Sequence, residues 1–115
     1  LIMLGGIYNH STASMFGFSV IEELQKFSVD IAFMAATGIS FSSGLANNTY
    51  MEAEIKRQVV SNSSKIILLA DHTKFNHNAL ISFCGLERLS AVVTDCAPPD
   101  EYIEYFQKHN ITLLF

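Results

Sequence analysis

The chain has 115 residues, half of them apolar and 16% charged, a balance that excludes a disordered polymer and suits one packed domain or part of one. Its formal charge of −4 and its seven scattered Lys and Arg residues exclude a domain that grips DNA or RNA through its own basic surface. No apolar run approaches the roughly 20 residues of a membrane-crossing helix, so no membrane partner is expected.

The first predicted element is a strand over Leu1–Leu4, ending at Gly5-Gly6 in "LIMLGG". The chain opens inside this apolar run, with no initiator Met and no polar lead-in, which reads as a piece of a longer protein. A polar loop, "IYNHSTAS", comes next. Gly17 then precedes a helical pattern with Val20, Ile21, Leu24 and Phe27 on one side and Glu22, Glu23 and Lys26 on the other. "VDIAFMA", Val29 to Ala35, reads as a second buried strand. "ATGISFSSGLANNTY" reads as a long loop, with its two glycines and many small polar residues. Met51, Ile55 and Val59 recur at helical spacing, with Thr49 as N-cap and Glu52 as its capping-box partner.

Lys65 to Asp71 forms a third strand, an apolar rod running into the polar tip of "ILLADHTKF". An irregular stretch is expected through Phe83, with one helical turn at Leu86–Leu89. "SAVVTD" is a fourth strand, ending in Asp95. Pro98-Pro99 opens a helix with Asp100 and Glu101 in its first turn and Lys108 and His109 in its last, the charge order favoured by the helix dipole. Asn110 stops that helix, and "ITLLF" is a last strand. The alternation of strands and helices predicts an α/β fold: a mostly parallel sheet flanked by helices, covered on both faces. In such a sheet the carboxyl ends of the strands share one rim, where ligands bind. The ends at Gly5-Gly6, at the loop from Ala36, at Asp71–Lys74 and at Asp95 are therefore expected to gather there.

Lys74 is suited to meet an anion as a point charge, or else is a solvated loop lysine. Asp71 can bind a hydroxyl or orient Lys74, or can cap the turn after its strand. Gly5, Gly6 and Gly38 allow close backbone approach to a ligand, or merely permit turns. The four histidines match no zinc spacing, so neither a metal nor another cofactor is expected. Asp71 and His72, as neighbours at a strand end, are badly placed to share a proton in a Ser/His/Asp triad. Cys84 and Cys96 lie outside any CxxC pair and read as reduced, largely buried thiols of a cytoplasmic protein.

Taken in order, "LGG" with Gly17 ten residues on, "DIAFMAATGI…GL", "MEAEIKR", "ILLADHTKF" and "LSAVVTD" resemble the C-terminal effector domain of DeoR-family transcriptional repressors. The resemblance spans nearly the whole chain. It implies the fold shared by ribose-5-phosphate isomerase and glucosamine-6-phosphate deaminase, with residues 1–115 forming the C-terminal part of the effector-binding domain. It implies a phosphorylated sugar as effector, and operator DNA bound only by a helix-turn-helix segment that this chain lacks. A homo-oligomer is implied as well, since two-fold operators are met by dimers or their multiples. By the same resemblance Lys74 stands where the related deaminases place a phosphate-binding lysine, and Asp71 belongs to the same motif. Glu52 and Lys56 match charged positions at the start of the second helix, and Gly5, Gly6, Gly17 and Gly38 match family glycines. The family's Gly-Thr-Thr phosphate loop is missing, so only half of the phosphate site is expected. A sugar-phosphate isomerase or deaminase is the alternative reading. It would need a free carboxylate base, Glu52 or Asp71. A third reading makes the exposed sheet face an oligomer contact.

Overall fold

Four of the five apolar runs that read as strands do pair in parallel. The computed structural model describes residues 1–115. In chain order the elements are β1 (Ile7–Asn9), β2 (Ser14–Phe16), α1 (Phe18–Leu24), β3 (Val29–Met34), β4 (Gly38–Ser40), β5 (Gly44–Asn47), α2 (Tyr50–Ser61), β6 (Ser63–Leu69), β7 (Ile81–Cys84), β8 (Ala91–Val93), α3 (Asp100–Lys108) and β9 (Thr112–Leu114). Short 3₁₀ turns occupy His72–Lys74 and Leu86–Arg88. The main sheet is parallel throughout, in the order β3-β6-β8-β9, with Phe33 beside Ile67, Leu68 beside Val92 and Val92 beside Leu113.

Alternation along these strands separates the two faces of the sheet. Ala32, Met34, Ile66, Leu68 and Val92 point into a core shared with Ala53 of α2 and with Tyr102 and Phe106 of α3. Fully burying side chains the size of Ile66, Leu68, Val92 and Phe106 contributes about 1.5–3 kcal/mol each. On the other face Ile31, Phe33, Leu69 and Leu114 remain exposed. The expectation of a sheet covered on both faces is therefore corrected. α2, α3 and the smaller sheet bury apolar residues in the same core, while these four side chains of the opposite face stay exposed.

The first strand is also corrected. Leu1–Leu4 pairs with no strand, and Leu1, Ile2 and Met3 are exposed. The Gly5 N–H donates to Glu23 Oε2 (2.7 Å), which ties the segment to α1 rather than to the edge of β3. Antiparallel pairing begins at Ile7, so the expected loop "IYNHSTAS" is instead most of a small β1–β2 hairpin.

The expected long loop after β3 likewise contains two strands, and the irregular stretch before Phe83 leads into a third. β4, β5 and β7 form an antiparallel sheet of their own. Glycine, serine and asparagine disfavour strands, which hid β4 and β5 from pattern reading. Burial holds them in place: every residue of both strands is buried, with Ile39 and Leu45 fully enclosed.

The helix ends follow the sequence closely. Thr49 caps α2 through the N–H of Glu52 (3.4 Å). Asp100 and Glu101 lie in the first turn of α3, with Lys108 in its last, and Asn110 takes the left-handed conformation (φ 56°) that ends it.

Candidate functional site

Because β3, β6 and β8 are parallel, the segments that leave them emerge on one rim. These are the segments starting at Ala35, Ala70 and Thr94. Asp71 turns the chain at the end of β6: its carboxylate accepts from the Thr73 N–H (2.9 Å) and from the Thr73 hydroxyl, capping the 3₁₀ turn His72–Lys74. The same turn is strapped to the end of β8. Asp95 Oδ1 accepts from the His72 N–H (2.7 Å), and Asp95 Oδ2 lies 2.6 Å from His72 Nδ1. The hydrogen bond to His72 holds the Asp95 carboxyl at a pKa of about 2, and the same bond raises the His72 imidazole. Bonds from Thr73 lower the Asp71 carboxyl.

Lys74 closes this turn half-buried, and its ammonium makes neither a hydrogen bond nor an ion pair. The turn is fastened on its inner side too. Phe75 bridges to Ile39, and the Tyr102 hydroxyl reaches Asn76 Oδ1 (2.9 Å) and the Ile39 carbonyl (3.3 Å). Gly38 lies against the same loop, where a Cβ would collide with the His77 carbonyl. Gly38, Asp71 and Lys74 thus belong to one neighbourhood.

Glu52 belongs to a second group at the end of β3. Its Oε2 accepts from Asn47 Nδ2 (3.1 Å), and Lys56 Nζ donates to Asn47 Oδ1 (3.0 Å) and to the Ala35 carbonyl (2.7 Å). The Asn47 bond is the main cause lowering the Glu52 carboxyl, and burial lowers the Lys56 ammonium. Lys56 also sits over the Phe83 ring, 5.3 Å from its centroid. Beside this group, between α2 and the β1–β2 hairpin, is a cleft of about 290 Å³ that Thr12, Ser14, Glu52 and Lys56 help to line.

Gly5 and Gly6 do other work. The Gly5 N–H is engaged by Glu23, and a Cβ on Gly6 (φ 136°) would stand 2.6 Å from the Phe16 carbonyl oxygen. Both serve the hairpin and its junction with α1.

Two partners were not legible beforehand. Asp95 was visible as a polar strand end, but only the β6–β8 pairing brings it to His72. Asn47 fell inside the expected loop, although it is buried and joins Glu52 to Lys56. The expectation of two buried thiols holds for Cys84, whose pKa burial pushes up to about 11, and is corrected for Cys96, which follows β8 and is exposed on the rim.

Residues 1–96 match the DeoR C terminal sensor domain. The chain belongs to this family. Among curated DeoR-type relatives it is 36% identical over 111 residues to the HTH-type transcriptional regulator IolR of Bacillus subtilis, covering 96% of this chain and 44% of the relative. It is 33% identical over 113 residues to the deoxyribose operon repressor of Escherichia coli, and 27% identical over 113 residues to the glycerol-3-phosphate regulon repressor of the same organism. Each of these alignments covers 98% of this chain and 45% of the relative. The chain therefore spans less than half the length of these relatives, which are named as regulators and repressors. It is a DeoR-type sensor domain with a four-stranded parallel sheet flanked by helices, and none of its helices is long and apolar enough to cross a membrane.

Proposed function

We propose that this DeoR-type domain senses a phosphorylated sugar or polyol, bound at the rim where β6 and β8 end, with Lys74 meeting the phosphate. The observation that carries the reading is the state of Lys74: a half-buried residue whose ammonium makes no hydrogen bond or ion pair, on a turn held from three sides by Asp71, Asp95 and Tyr102. A cation kept unpaired on a braced turn is ready for an anion at little cost in reorganisation. The relatives named for a deoxyribose operon and a glycerol-3-phosphate regulon support a small, sugar-derived class of effector.

The domain is read as a binder without turnover. Asp71, Asp95 and Glu52 are each engaged by a neighbouring side chain, so none of these three carboxylates stands free as the base that an isomerase or deaminase requires. In the whole protein, effector binding would bias operator binding by a helix-turn-helix segment elsewhere in a cytoplasmic, homo-oligomeric repressor.

Calorimetric titration with a panel of sugar and polyol phosphates, each beside its unphosphorylated counterpart, tests the proposal. Heat is expected only with phosphorylated compounds, and Lys74→Ala is expected to lose about 1.5–3 kcal/mol of binding free energy, the range for hydrogen bonds to charged groups. Equal binding of both members of every pair would overturn the reading.

A further inference from the structure

We propose that His72, Asp95 and Cys96 form a binding site for a divalent metal ion of the zinc class, with at least one coordination position left open. The site lies on the same rim as the proposed effector site, but the inference does not rest on that reading. It starts from the gathering of three unlike donors, an imidazole nitrogen, a carboxylate oxygen and a thiol sulfur, all within 4.8 Å of one another. Nitrogen, sulfur and a single carboxylate make the donor set that suits zinc, rather than magnesium or calcium.

The cluster is built by the fold. His72 follows β6 and Asp95–Cys96 follow β8, and the parallel pairing of those strands brings together residues 23 apart in sequence. The chain bends at Asp95–Cys96, which lets two consecutive side chains serve one point instead of opposite faces. Asp95 is already oriented: its Oδ1 is held by the His72 N–H (2.7 Å) and by the Thr94 hydroxyl (3.2 Å), leaving Oδ2 beside His72 Nδ1. Outer contacts of this kind fix a ligating carboxylate before the ion arrives.

With bonds of about 2.0 Å to nitrogen and oxygen and about 2.3 Å to sulfur, tetrahedral donors lie roughly 3–4 Å apart. All three side chains are exposed, so the adjustment of ~1 Å that this geometry asks is open to rotation about their own χ angles. The ion would take the place of the proton between His72 Nδ1 and Asp95, leaving the imidazole neutral with its proton on Nε2 and any excess proton released to solvent. The Cys96 thiol would lose its proton to solvent, giving a thiolate ligand. Three protein ligands leave a fourth position for water or an exogenous donor.

Titrating the 115-residue chain with Co²⁺, a coloured substitute for Zn²⁺, under a phosphine reductant tests the site. One equivalent is expected to produce a thiolate-to-cobalt charge-transfer band in the near ultraviolet and the visible bands of four-coordinate cobalt, both erased by Zn²⁺. Cys96→Ser is expected to abolish the charge-transfer band. His72→Ala is expected to weaken binding by at least the roughly tenfold that outer-shell partners cost. Cys84→Ser, with its thiol buried in the core, is expected to leave the band in place; far-ultraviolet circular dichroism confirms that each variant is folded. A weak spectrum of six-coordinate cobalt, or a charge-transfer band that survives Cys96→Ser, would overturn the proposal.

Discussion

Two lysines stand near the same rim and are used in opposite ways. Lys56, at the end of β3, spends its ammonium on the Ala35 carbonyl and on Asn47, which in turn holds Glu52. Lys74, at the end of β6, spends its ammonium on nothing, while the turn beneath it is braced by Asp71, Asp95 and Tyr102. The contrast separates two uses of a charge. A cation that gives two of its three donors to groups inside the protein stabilises the fold and has less left for a ligand. A cation that is positioned but unpaired contributes little to the fold and is available to an anion.

Substitutions can break or sharpen that contrast. The largest effect on stability is expected from Lys56→Met, which keeps the apolar stem but leaves the buried Asn47 Oδ1 and the Ala35 carbonyl without their donor. A loss of about 1–3 kcal/mol is expected in urea unfolding. A second large effect is expected from Gly38→Ala, whose Cβ would collide with the His77 carbonyl and push on the loop that carries Lys74. Overpacking of this kind costs about 1–3 kcal/mol, and it should weaken effector binding as well. A smaller loss of about 1 kcal/mol is expected for Tyr102→Phe, which removes the hydroxyl bonds to Asn76 and Ile39 while leaving the ring in the core. The smallest is Lys74→Ala, within about 0.5 kcal/mol of the parent in the same assay. If Lys74→Ala proved as destabilising as Lys56→Met, the distinction between the two lysines would fail.

How much of this could be read in the residues depends on how far each feature reaches along the chain. The parallel strands, the three helices and the Thr49 cap are local patterns: an apolar run, a 3.6-residue period, a capping residue three positions from its partner. All were legible. The antiparallel sheet was not, because Gly38–Ser40 and Gly44–Asn47 carry residues that disfavour strands and are held by burial against distant parts of the chain. Leu1–Leu4 fails in the opposite sense. Its composition is that of a strand, but a strand needs a neighbour, and the bond from Gly5 to Glu23 leads the segment to α1.

The candidate site divides along the same line. Asp71 and Lys74 were visible at the tip of one apolar rod. That Asp71 caps its own turn was among the readings open from sequence, and it is the arrangement found. The strap from His72 to Asp95 joins residues 23 apart and appears only once β6 and β8 are paired. Gly5 and Gly6 looked like the other glycines of the expected rim. The positive φ of Gly6 and the bond from Gly5 to Glu23 place them at the hairpin and its junction with α1, a distinction that composition does not carry.

The most direct test of the central claim is to follow backbone amide resonances of the 115-residue chain as a phosphorylated sugar from the panel is added. The account predicts saturable shifts concentrated at His72–Phe75 and Thr94–Cys96, absent in Lys74→Ala, with Lys56 and its partners Asn47 and Glu52 little changed. Shifts centred on the cleft beside Lys56, or a binding response that persists undiminished in Lys74→Ala, would contradict it.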